Sequence, residues 1–176
     1  MRHILIVVDI QKDFVDGSLG TAEAMAMVQK AAKRVADFAG DIFVTYDTHF
    51  ENYMQTAEGA KLPVPHCIKD TDGWELDGHI ADALADKAFT KVEKLTFGAT
   101  HLPELVKNAA GNDDFDITLI GLCTDICVVS NALILKAAFP EKEIYVDAAC
   151  CAGVTVESHN AALTTMKMCQ INIIGA

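Results

Sequence analysis

The sequence predicts an α/β protein: a three-layer αβα sandwich around a mostly parallel, six-stranded, Rossmann-like sheet. Strand-like and helix-like patterns alternate almost throughout, as a parallel sheet with crossover helices requires. The runs His3 to Val8 and Phe115 to Ile120 are apolar and rich in branched residues, the mark of strands covered on both faces. With 176 residues, 51% of them apolar, the chain is expected to form one domain, 1–176, with a full core.

Taken in order, the first strand, His3 to Val8, is broken by Asp9-Ile10-Gln11-Lys12-Asp13-Phe14-Val15-Asp16-Gly17, a polar stretch ending in a turn glycine. A helix is expected from Ala22 to Ala39. Thr21 is its candidate N-cap, Met25, Val28, Ala31, Ala32, Val35 and Phe38 recur at helical spacing, and Gly40 stops it. Ile42 to Tyr46 reads as the second strand. From Asp47 to Gly73 runs a long segment rich in Pro, Gly, His and Asp, without periodicity. Such loops are functional or disordered, and Tyr53, Leu62, Val64, Cys67, Ile68 and Trp74 supply too many anchors for disorder. Leu76 to Ala85 suggests a short helix and Ala88 to Val92 a third strand. A helix from His101 to Ala109 follows, with Pro103 acceptable in its first turn. After the fourth strand come Gly121 to Ser130 and a helix from Val128 to Ala138. Glu143 to Asp147, Val156 to Cys169 and Ile171 to Ile174 complete the pattern as strand, helix and strand.

The net charge of −11 argues against nucleic acid and anionic membrane surfaces as partners. No apolar run approaches the roughly 18 residues of a membrane span. The amino terminus leads straight into a strand pattern, which leaves no room for a signal peptide. Six cysteines without regular spacing do not form a secreted disulfide framework, so a cytoplasmic, reducing compartment is expected.

In open parallel sheets ligands bind outside the carboxyl ends of the strands. Asp9, Asp47, Lys94 and Cys127 each fall just past the end of a different expected strand. Cys127 lies near the first turn of a helix, where amide N–H groups and the helix dipole favour a thiolate and later an oxyanion. Asp9 can accept the thiol proton in a dry site, and Lys94 can favour the thiolate by charge and neutralise Asp9 at rest. Lys91 is a rival for that role. The plainer readings are a small buried cysteine, a strand-end carboxylate and a solvated lysine.

A second constellation is Asp47-Thr48-His49, then Glu58, then His66. Two imidazoles and two carboxylates on one loop can surround a divalent transition metal, zinc foremost, with manganese or iron as alternatives. Asp-x-His puts both side chains on one side of an extended segment, and prolines stiffen the approach of His66. Two loop histidines that bind nothing are the plainer reading; Cys67 is a softer candidate ligand ranked below Glu58. His79, His101 and His159 read as helix-surface or packing residues. Cys150 and Cys151 read as small core residues, and a Cys123–Cys127 redox pair ranks behind the nucleophile.

Together these residues resemble the isochorismatase-like cysteine hydrolases, and within them the nicotinamidases. Asp9-Ile10-Gln11-Lys12-Asp13-Phe14 is similar to the family's Asp-x-Gln-x-Asp-Phe opening. Val92-Glu93-Lys94-Leu95-Thr96-Phe97-Gly98 is similar to its lysine segment, and Gly121 to Cys127 to its nucleophile turn. The resemblance runs nearly the whole length. It implies an Asp9–Lys94–Cys127 triad and a cis peptide between Leu122 and Cys123. It also implies an oxyanion hole made by the N–H groups of Cys123 and Cys127, the Cys123 side chain being incidental.

The resemblance further implies Asp47, His49, Glu58 and His66 as metal ligands. Gln55 stands where many members carry a third histidine, and Glu58 is similar to a glutamate that some use instead. Leu62 and Pro63 stand where a tryptophan often precedes the Pro-His-Cys segment. Substrate contacts then fall to Phe14, with Tyr53 or Phe97, and to Leu122. The implied activity is hydrolysis of nicotinamide, or a close aromatic amide, to the acid and ammonia, a reaction of NAD salvage. The implied partners are a small-molecule amide and further copies of the chain, as dimer or tetramer. Rival readings are a carbamoyl or ureido hydrolase of the same fold, a non-catalytic member, and a zinc-binding structural module.

Overall fold

Strand β1 (Arg2–Val8) is fully buried from Ile4 to Val8, because helices cover both of its faces. The structure, a computed structural model describing residues 1–176, places it centrally in a six-stranded sheet of order β3-β2-β1-β4-β5-β6. The other strands are β2 (Asp41–Asp47), β3 (Thr90–Lys94), β4 (Phe115–Leu122), β5 (Ile144–Ala152) and β6 (Asn172–Ile174), and every pairing is parallel. The expected fold class is therefore the one observed. The chain steps outward from β1 through β2 to β3, then returns to place β4 on the other side of β1. That reversal makes a topological switch point, where α/β sheets bind ligands.

The helices are α1 (Lys12–Val15), α2 (Ala22–Asp37), α3 (Ala57–Lys61), α4 (Gly78–Leu84), α5 (Leu102–Ala110), α6 (Val129–Ala138) and α7 (Val156–Met168). Thr21 caps α2 as expected, accepting from the Ala24 N–H at 3.0 Å. Its buried stripe is Ala24, Met27, Val28, Ala31 and Val35. Met25 points outward at 52% exposed, and Met27 takes the inward place expected of it. On this face Leu5 and Val7 of β1 pack with α2 and with Ile80 and Leu84 of α4. On the other, Ile4, Ile6 and Val8 meet Leu102 and Val106 of α5, Ala132 and Leu135 of α6, and Met166 of α7. Alternation along β1 thus feeds two cores.

Boundaries shift where tertiary pairing overrides local pattern. Strand β3 ends at Lys94 rather than Val92, because Lys91 to Lys94 pair residue for residue with Val44 to Asp47. Strand β5 runs on past Asp147 to Ala152: beyond a register shift, Cys151 and Ala152 pair with Gly121 and Leu122. The polar stretch after β1 contains α1, and the long loop contains α3 and two single 3₁₀ turns, at Tyr53–Gln55 and Asp72–Trp74. Between β4 and α6 the chain makes one π-helical turn, Thr124–Val128. No helix is long and apolar enough to cross a membrane.

Candidate active site

Register explains why distant residues meet. Asp47 and Lys94 are the terminal residues of β2 and β3 and are paired across them. Val8, which ends β1, pairs with Thr45 on one side and Gly121 on the other. The residue after it, Asp9, therefore projects between the end of β2 and the turn that follows β4. Asp9 takes a left-handed φ of 47°, a conformation aspartate tolerates better than most residues. Its N–H donates to the Thr45 hydroxyl at 3.2 Å, and that hydroxyl donates to Asp9 Oδ1 at 2.6 Å.

Lys94 is buried and its ammonium is shared three ways. Nζ lies 2.7 Å from Asp9 Oδ2 and donates to Asp47 Oδ1 at 3.0 Å and to Cys127 Sγ at 3.4 Å. Two of its donors are hydrogen-bonded, and the Asp9 contact is an ion pair. Burial works against the Lys94 charge, but Asp9, Cys127 and Asp47 outweigh it and hold the ammonium well above its usual range. Burial pushes the Asp9 carboxyl up, against the pull of Lys94. It also pushes the Cys127 thiol well up, and Asp9 adds to that shift. Burial thus opposes the thiolate that helix position alone favours. Lys94 is already neutralised by two carboxylates, and Cys127 sits in the π turn, one turn before α6 proper.

Lys91, the rival lysine, lies elsewhere. Its Nζ sits 3.8 Å from the Trp74 ring centroid and 4.3 Å from that of Tyr46, a cation–π contact beside Glu93.

Beside the Asp9–Lys94–Cys127 group, Asp47 turns its other oxygen to the loop. Oδ2 is 3.0 Å from His49 Nε2 and 3.5 Å from His66 Nε2. Glu58 Oε1 lies 3.6 Å and 3.7 Å from the same two nitrogens. Glu58 arrives on α3, which Thr56 caps through the Gly59 N–H at 3.0 Å. Gly59 is required there, because a Cβ would collide with the Tyr53 carbonyl. Gln55 is exposed and takes no part. Tyr53 is buried behind the imidazoles, its ring centroid 4.8 Å and 5.1 Å from theirs.

The donors fit a divalent ion. Asp47, His49 and His66 offer ligand atoms within 4.8 Å of one another. His66 Nδ1 is 2.8 Å from the Val64 carbonyl, an acceptor only, so Nδ1 carries the proton. In the neutral ring Nε2 then presents a lone pair to two carboxylates, an arrangement that a cation among them would satisfy. With Nε2 of each ring protonated instead, hydrogen bonds from both histidines and the charge of Lys94 overcome burial and hold the Asp47 carboxyl well below the usual range.

Above Cys127 opens a cavity of about 580 Å³. Phe14, Asp47, Glu58, His66, Cys123 and Phe97 line it with Cys127. Leu122 does not: as the last residue of β4 it faces the same side as Ile120 and is buried in the core. The sequence-based expectation of a Leu122 substrate contact is corrected by that strand alternation. The Leu122–Cys123 peptide is cis, as expected. Burial pushes the Cys123 thiol up to about 12, so it offers no competing thiolate.

Four residues have supporting roles that the sequence reading did not assign: Gln11 and Asp13 stood there only as motif positions and His159 as a surface or packing residue. Gln11 brackets Asp47: Oε1 accepts its N–H at 2.8 Å and Nε2 donates to its carbonyl at 2.9 Å. Asp13 Oδ2 accepts the Cys67 N–H at 2.8 Å, tying down the segment that carries His66. Asn131 donates to the Cys127 carbonyl at 2.8 Å and accepts the Ala99 N–H at 2.9 Å, joining the turn that carries Cys127 to the loop after β3. His159 Nδ1 meets the Thr124 hydroxyl at 2.8 Å in the π-helical turn that holds Cys127. The available signal was a polar residue beside an apolar run, as Gln11 and Asn131 are; both prove fully buried.

A family model described as the isochorismatase domain matches residues 3–176. The chain belongs to the isochorismatase family. Among curated relatives, a nicotinamidase/pyrazinamidase of Mycobacterium tuberculosis is 26% identical over 185 aligned positions, covering 97% of each chain. Among solved structures, a pyrazinamidase/nicotinamidase of Streptococcus mutans is 29% identical with a TM-score of 0.82, covering 98% of this chain and 99% of its own. A pyrazinamidase of Pyrococcus horikoshii in complex with zinc shares the fold at 23% identity and a TM-score of 0.81, with all of both chains covered. Within the isochorismatase family, then, this chain is a nicotinamidase-like member and stands among amide-hydrolysing enzymes.

Proposed function

We propose that the protein hydrolyses nicotinamide, or a close aromatic amide, to the carboxylic acid and ammonia through a thioester on Cys127. One observation carries the reading. A buried cysteine, 3.4 Å from a lysine that is ion-paired to Asp9, shares a cavity with Asp47, Glu58 and His66, which gather around His49. Asp47, His49, Glu58 and His66 would hold a divalent ion, for which zinc, the ion in the P. horikoshii complex, suits the imidazole and carboxylate donors. When bound, the ion supplies a Lewis-acid anchor for a ring nitrogen, directly or through water.

Asp9 accepts the thiol proton as Cys127 Sγ attacks the amide carbonyl. Lys94 stays protonated and balances the charge on Asp9 and Cys127 through the exchange. The N–H groups of Cys123 and Cys127 face the developing oxyanion. The C–N bond then breaks and Asp9 returns its proton to the departing ammonia. Water, activated by Asp9, cleaves the thioester, yields the acid and restores the thiol. Phe14 flanks the aromatic ring. The working protein is placed in the cytoplasm as a homo-oligomer, with no nucleic-acid or membrane partner.

The test is ammonia release from nicotinamide before and after chelation, with zinc restored afterwards. Metal-dependent release supports the whole reading. Release that survives complete metal removal points to the ureido or carbamoyl alternative, and no release under any metal removes nicotinamide as substrate.

A further inference from the structure

The cavity over Cys127 has more room and more apolar surface than a single pyridine ring uses. Its volume of about 580 Å³ falls inside the range, roughly 300–1,000 Å³, of sites that enclose drug-sized ligands. The floor is buried: Cys127, Asp47 and His66, with Phe14 beside them. The mouth differs. Leu95, Val154, Phe97 and Leu62 line the cavity while 64%, 52%, 47% and 37% exposed. They come from three separate segments: the loop after β3, the turn after β5 and the end of α3. Exposed large side chains gathered around one cavity, rather than scattered singly, mark a binding surface.

Ring geometry separates floor from mouth. With the carboxamide over Cys127 and the ring nitrogen toward the Asp47–His66 cluster, two of the three alternate ring positions face the floor. The third, the 5-position, points away from both and therefore toward the opening. Lys61, Thr96 and Thr21 also line the cavity, but Leu62, Leu95, Phe97 and Val154 present only carbon.

We propose that the site accepts 3-pyridinecarboxamides with an apolar substituent at the 5-position, and that Leu62, Leu95, Phe97 and Val154 form the subsite for that group. This rests on the amidohydrolase reading above. A methylene placed in a hydrophobic pocket changes kcat/KM by roughly 10- to 200-fold. The mouth is partly open, so the low end applies.

The experiment compares nicotinamide with 5-propylnicotinamide on the zinc-loaded enzyme and on Leu95→Gln and Val154→Thr. Both side chains are exposed, so the fold should tolerate the changes, and melting temperatures check that. The expected result is a kcat/KM about tenfold higher for the propyl compound, through KM. That gain should shrink several-fold in each variant while nicotinamide turnover stays within about twofold. Equal turnover of the two amides, or a gain that both variants leave intact, overturns the proposal. Calorimetry on zinc-loaded Cys127→Ala reads the mouth without chemistry. Tighter binding of the propyl compound, weakened by Leu95→Gln, supports the subsite even if neither amide is hydrolysed and the reaction assignment falls; equal binding overturns it.

Discussion

Asp47 divides its carboxylate between Lys94, 3.0 Å from Oδ1, and His49, 3.0 Å from Oδ2. One buried residue therefore belongs to two charge networks, the Asp9–Lys94–Cys127 group and the histidine cluster. A cation held by the histidines would draw on the carboxylate that partly neutralises Lys94. Lys94 would then be freer to stabilise charge on Asp9 and on the Cys127 sulfur. Under the proposed function, metal loading and attack by Cys127 would be coupled through this side chain.

Cys127→Ala should lower ammonia release by at least ~10⁴-fold, because nothing else in the cavity replaces the attacking sulfur. Circular dichroism and melting temperature should stay close to wild type. Substantial residual turnover would remove the covalent mechanism.

Asp9→Asn should reduce kcat by ~10²–10⁴-fold, the usual span for a positioned proton acceptor. In the wild type, Asp9 must be ionised to take the thiol proton, and burial raises its carboxyl. Activity should accordingly fall as pH drops through a value above that of an ordinary aspartate, and the acidic limb of kcat/KM reads it. A limb in the ordinary aspartate range would contradict the assignment.

Lys94→Met leaves Asp9 and Asp47 buried without their shared cation. Unfolding free energy from urea titration should drop by ~3–5 kcal/mol. The double variant Asp9→Asn/Lys94→Met should recover part of that loss. If Lys94→Met is as stable as wild type, the ion pair is not what balances these carboxylates.

Gln11→Ala removes both hydrogen bonds that bracket the Asp47 backbone. Stripping partners from a buried group costs ~1–3 kcal/mol, and zinc affinity, read by chelator competition, should weaken by ~10-fold or more. Unchanged zinc affinity would mean that strand pairing alone positions Asp47.

Zinc at about 100 times its dissociation constant should stabilise the fold by ~2.7 kcal/mol, seen as a higher melting temperature. Glu58→Gln should shrink that shift. A shift that Glu58→Gln leaves intact would take Glu58 out of the ligand set.

The sequence by itself determined the layer architecture, because alternating period-2 and period-3.6 patterns leave few packings open. It also brought Asp9, Asp47, Lys94 and Cys127 to one sheet edge, since strand ends can be read from where apolar runs stop. The choice of Lys94 over Lys91 was not legible locally. It depends on the register that sets Lys94 opposite Asp47 and sends Lys91 to the Trp74 and Tyr46 rings. The upward push on the Cys127 thiol likewise emerges only in three dimensions, because burial and the nearby Asp9 oppose what a helix terminus and a lysine suggest. Leu122 turned inward by strand alternation, and Gln11, Asp13 and Asn131 gained their roles by bonding backbone far away in the chain. Residue type and order carry the chemistry of each group. Only the folded chain decides which charge meets which, because Coulomb and hydrogen-bond energies depend on distances that local sequence does not encode.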